Sequence, residues 1–160
     1  MTRKASLTRA APAKSPRTRP KAMLRPIVPA KAGEISLDYH MTLEALRSGV
    51  ANQYHVGSMA QAIYMAMLLN QRGYGPAVPE LFRDAEGVIL RCRQAGLETG
   101  ICVVDHDAFA LLGQVLTLFD QQLAVTPVGE LIAVNAKLKT LFSTANGHCD
   151  RNGNGDENPA

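Results

Sequence analysis

The chain has 160 residues, 46% of them hydrophobic and 5% aromatic, with no Trp and a formal net charge of +3. That length suits one domain with tails, and the apolar content is enough for a core built from Leu, Val, Ile, Ala and Met. Three scattered cysteines exclude a disulfide framework and point to a reducing compartment. The longest apolar run, Ala62 to Leu69, falls far short of the roughly 20 residues of a membrane span.

Residues 1–33 hold nine Lys or Arg and no carboxylate. Residues 34–160 hold eight cations against fourteen carboxylates, a net −6. The chain is therefore polarised, a basic arm on an acidic body. Such an arm is most often an interaction tail for a polyanion. Five prolines, Pro12, Pro16, Pro20, Pro26 and Pro29, remove backbone donors along it. With few large apolar side chains to offset ordering, residues 1–33 are expected to be a disordered basic arm. No apolar stretch follows the positive start, so it does not read as a secretory signal. A cytoplasmic location without a membrane partner is expected.

From residue 34 to 145 the apolar residues recur at helical spacing. Tyr39, Leu43, Leu46 and Val50 form a first stripe, with Gly49 as its stop. Val56, Met59, Ile63, Ala66 and Leu69 form a second, ended by Gly73. Pro79 suits the first position of a third helix, with Glu80 in its first turn. Leu81, Ala85, Val88 and Cys92 make its stripe, and Gly96 is the expected end. The apolar run Ile101–Val104 has no evident strand partner and reads as a linker. Asp105 or Asp107 can cap a fourth helix bearing Phe109, Leu112, Leu116, Phe119 and Leu123. Thr126 and Pro127 read as the cap and first turn of a fifth, with Leu131, Val134, Leu138 and Phe142. Residues 146–160 are rich in Gly, Asn and Asp and are expected to be a disordered polar tail. The predicted fold is an all-α bundle of about five helices.

The sharpest local pattern is Pro16-Arg17-Thr18-Arg19-Pro20-Lys21. It resembles the AT-hook, a short peptide whose core is Pro-Arg-Gly-Arg-Pro and which lies in the minor groove of A·T-rich DNA. Thr18 stands where that core has Gly, and a β-branched side chain lifts the backbone off the groove floor. The resemblance then implies weakly selective groove or phosphate contact. The residues expected to carry it are Lys14, Arg17, Arg19, Lys21 and Arg25. A helix-turn-helix would turn at Ala45–Gly49. The apolar position expected after that turn falls on His55, and no cation occurs in Gly57–Gln61, so an ordinary helical hairpin is expected.

Residues 34–145 also resemble a group of small proteobacterial proteins labelled Fis-type transcriptional regulators. The segments that carry this are Tyr39–Gly49, Ala66–Gly73 and Thr126–Leu131. The resemblance implies a helical protein acting in transcription regulation. The genuine Fis protein ends in a basic helix-turn-helix, whereas this chain ends in Asp150-Arg151-Asn152-Gly153-Asn154-Gly155-Asp156-Glu157. That tail also contains the first half of a calcium loop, Asp150, Asn152, Asn154 and Gly155, without the closing Glu. Cys102, His106, His148 and Cys149 lack zinc-ligand spacing. No phosphate loop, serine elbow or carboxylate pair is visible, so no enzyme, metal or cofactor is expected. The sequence leads to a non-enzymatic DNA-associated or transcription-regulatory accessory protein whose arm contacts duplex DNA. The alternative is a protein-interaction or oligomerisation module with a solubilising arm, its helical domain meeting a homo-oligomer or protein partner.

Overall fold

The structure is a computed structural model and describes residues 20–147. It is an all-α bundle. After a 3-10 turn, Lys21–Leu24, come α1 (Pro29–Ser48), α2 (Gln53–Gln71), α3 (Pro79–Thr99), α4 (His106–Val125) and α5 (Val128–Gly147). No strand occurs among the described residues.

α2 is the central element. It packs against α1, α3, α4 and α5, and its stripe of Val56, Met59, Ile63, Ala66 and Leu69 is buried throughout. Ala62 and Ala66 are fully buried as well, and their small side chains let neighbouring helices approach closely. Asn52 caps α2 by accepting from the backbone of Tyr54 and His55, while His55 Nδ1 lies 3.2 Å from the Asn52 backbone nitrogen. α4 supplies the facing layer, with Leu112, Val115, Leu116, Leu118, Phe119 and Leu123 buried. By length and composition α4 resembles a membrane span, but its apolar side is occupied by α1, α2 and α3. Phe119 meets the Tyr39 ring edge-on at 5.7 Å.

Several boundaries differ from the sequence reading. α1 begins at Pro29, five residues before the expected domain start at Glu34. Proline at the first helical position costs nothing, because that amide hydrogen has no intrahelical acceptor. The helical stripe therefore extends back through Ala32 and Ile35, both packed on the core. Val50 lies beyond the helix and is exposed. α3 passes Gly96 and ends at Thr99, with left-handed Gly100 as its cap. Gly96 is buried instead, because the Cys102 thiol and the Gln53 amide occupy the space above it.

The segment Ile101–Val104 does find a partner, though not a strand. Cys102 bridges Ala51, and the Val104 N–H donates to the Leu46 carbonyl at 3.1 Å. Cys102 and Val104 point inward while Ile101 and Val103 face out. Asp105 caps α4 as expected, accepting from Ala108 N–H at 2.8 Å. Thr126 does not cap α5. Its hydroxyl is buried without a hydrogen-bond partner, and its backbone closes α4 by donating to the Gln122 carbonyl.

Gln122 is a buried polar residue with an evident task. Its amide donates to the Ala66 carbonyl at 3.0 Å and the Tyr74 carbonyl at 2.8 Å, tying the α2–α3 connection to the core. Gln122→Met keeps the volume and removes both bonds, with the loss partly offset because the side-chain oxygen is already unpaired. A net destabilisation of about 1–2 kcal/mol is expected in a denaturant melt.

Tyr64 of α2 donates to Glu86 of α3. Burial first, and the Glu86 carboxylate second, push its phenol up to about 12. The folded chain then holds this proton where the unfolded chain releases it, so stability falls as pH rises from about 10 toward 12. Tyr64→Phe is expected to abolish this part of the alkaline loss, as measured by melts across that range.

Candidate nucleic-acid interface

Two of the N-terminal cations that fall within the described residues, Lys21 and Arg25, sit on an ordered strap. Residues 20–28 run along the start of α5. Pro26 forms a bridge with Pro127, and the Val128 N–H donates to the Arg25 carbonyl at 2.9 Å. This bond satisfies one of the amides left free at the start of any helix. The strap therefore does for α5 what Thr126 was expected to do. Gly129 suits this close contact, since a Cβ there would lie 3.0 Å from the Met23 carbonyl oxygen, tight enough that the strap would have to shift by a few tenths of an ångström.

The strap fixes where its charged residues are attached. Lys21 and Arg25 are exposed and have no carboxylate partner among the described residues. Lys31, in the first turn of α1, is also exposed but bonds Glu34 at 2.7 Å. That hydrogen bond, and then the Glu34 charge, raise the Lys31 ammonium above its ordinary value. Glu130 at the start of α5 pairs with Arg72. Two unneutralised cations thus remain beside a cleft of about 660 Å³, lined by Ala22, Pro26, Ile27, Val28 and Val128 as well as by the three basic residues.

Comparisons with protein-family models, with curated proteins and with solved structures give no match to this chain.

Of the five residues expected to contact nucleic acid, Lys21 and Arg25 lie together on the strap. Lys14, Arg17 and Arg19 lie outside the described residues, as do His148, Cys149 and the half calcium loop beginning at Asp150. The helix-turn-helix alternative has a geometric obstacle. A reading helix must offer a face to a groove, but α2 is packed by four other helices, and its exposed positions, Gln53, Tyr54, Gly57 and Gln71, include no cation. Of the zinc candidates, Cys102 is buried beside Gln53 Nε2 at 3.8 Å, while His106 is exposed in the first turn of α4. No group of three potential metal ligands occurs among the described residues. Cys92 is core, as expected. Burial, followed by the neighbouring Cys102, pushes its thiol up, away from nucleophilic chemistry.

The apolar floor of the cleft escaped sequence reasoning. Its signal was present in Pro26-Ile27-Val28-Pro29, an apolar group inside a basic segment. What concealed it was its partner Val128, a hundred residues along the chain.

Proposed function

We propose that this chain is a non-enzymatic, DNA-associated accessory protein in transcription regulation, with its N-terminal basic segment contacting phosphates. The observation carrying this reading is the pairing of charge with anchorage. Lys21 and Arg25 are exposed on a strap bonded to α5, with no carboxylate partner among the described residues, and six more cations precede them without a carboxylate. A rigid base lowers the ordering cost of the first contacts, and the following chain adds contacts with little sequence preference. The test is fluorescence anisotropy on A·T-rich and G·C-rich duplexes over a range of salt, with full-length protein and with residues 1–19 deleted.

A protein-interaction role is the second reading. It is favoured by Leu90 and Leu97, two turns apart on α3, and by Ile101 just beyond, each more than half exposed. No duplex binding at low salt by either protein would favour it.

A further inference from the structure

We propose that the groove leading from Lys21 and Arg25 across Ile27 and Val128 binds a single-chain anionic amphiphile, a long-chain fatty acid. The cations would hold the carboxylate, and the chain would lie along the apolar walls. This goes beyond DNA contact, because a phosphate backbone has no use for those walls.

Two clefts carry the argument. The first, about 660 Å³, is lined by aliphatic side chains together with Lys21, Arg25 and Lys31. The second, about 330 Å³, lies between α1, α2, α4 and α5 and reaches Met65, Phe119 and Leu123. Ile27 and Val128 line both. A ligand occupying both clefts would have to pass over these two half-buried side chains, which one extended chain can do. The two volumes fall in the range of small-molecule sites, roughly 300–1,000 Å³. Charge decides the class of head group. Glu34 occupies Lys31, whereas Lys21 and Arg25 have no carboxylate partner among the described residues. An uncharged hydrocarbon would leave these cations unused, and a small hydrophilic anion would leave the aliphatic floor wet. Val28 and Ile132 are 66% and 53% exposed. Each lines one lobe, and each gains burial only if something covers it.

The test titrates full-length protein with cis-parinaric acid, a fluorescent long-chain fatty acid, and with its methyl ester. Saturable binding at one equivalent per chain is expected for the acid. Val28→Asn with Ile132→Asn is expected to weaken it about tenfold, the loss of about two half-buried aliphatic side chains. Both positions are more than half exposed, so the fold should persist, and circular dichroism checks that it does. Lys21→Gln with Arg25→Gln is expected to weaken the acid about tenfold, as the loss of charge-assisted hydrogen bonds would, while leaving the ester unchanged. Several results would overturn the proposal. One is the absence of saturable binding, and another is binding indifferent to Val28 and Ile132. A third is equal weakening of acid and ester by the charge variant. Binding that appears only after deletion of residues 1–19 would make that segment the occupant. A dimer dispersed by the probe would make a second copy the occupant. Capture by anionic phospholipid vesicles without binding of the free acid would mean a bilayer surface instead.

Discussion

Raising salt from about 50 to 200 mM is expected to weaken duplex DNA binding by roughly a thousandfold. If about five to seven of the N-terminal cations meet phosphates at once, the slope of log affinity against log salt should be roughly −4 to −6. The strap refines where that slope comes from. Deleting residues 1–19 removes six cations and spares Lys21, Arg25 and Lys31. It also spares the Arg25 carbonyl that receives the Val128 amide, so the fold should stay intact. The remaining slope should be about −2, since Glu34 holds Lys31. Lys21→Ala with Arg25→Ala in the full chain should make the slope shallower by about two. Cutting at residue 33 would be a poor test. It would remove the first turn of α1 and the strap together, mixing lost charge with lost packing. Undiminished binding without residues 1–19 and with both strap cations neutralised would refute the proposed interface. Strong preference between A·T-rich and G·C-rich duplexes would also count against it, because contact with phosphates alone does not read bases.

Two glycine-to-alanine substitutions in helices should act in opposite directions. At Gly96 a Cβ would collide with Cys102 Sγ and would lie 2.5 Å from Gln53 Nε2. Cys102 cannot retreat easily. It is buried, and its backbone bridges Ala51. Gly96→Ala must therefore push the α3–α4 connection off α3, at a cost of about 1–3 kcal/mol. For a domain of this size that lowers Tm by several degrees, roughly 3–6 °C per kcal/mol. At Gly57 of α2 nothing lies within 4 Å of an added Cβ. Gly57→Ala should stabilise by about 0.5–1 kcal/mol, through lower backbone entropy in the unfolded chain. Differential scanning calorimetry on both variants checks the pair. A neutral Gly96→Ala would mean that Cys102 and Gln53 move aside freely.

Helix identity was readable because the cues for it are local. Apolar spacing marked the buried stripe of α2 residue by residue, from Val56 to Leu69. Pro79 and Asp105 marked helix starts through properties of their own, a missing amide hydrogen and a side-chain acceptor. Gly49 likewise marked an end, since it sits left-handed after Ser48. By itself, then, the sequence determined five amphipathic segments, their rough lengths and the segregation of positive charge toward the N-terminus.

Tertiary structure decided what depended on distant partners. Gly96 carries the same local signal as Gly49, yet it lies inside a helix because Cys102 and Gln53 need the room above it. Pro26 and Pro29 suggested a chain that could not be ordered, but Pro29 opens α1 and Pro26 bridges Pro127. Thr126 had the right chemistry for a cap, and the Arg25 carbonyl took the bond instead. The grooved basic surface arises in the same way. Lys21 and Arg25 were visible as charges, but their fixed position beside Ile27 and Val128 exists only because residues from the two ends of the chain meet. A hydrogen bond or a packed wall between residues a hundred positions apart leaves no periodic trace in either segment, so only the folded chain reveals it.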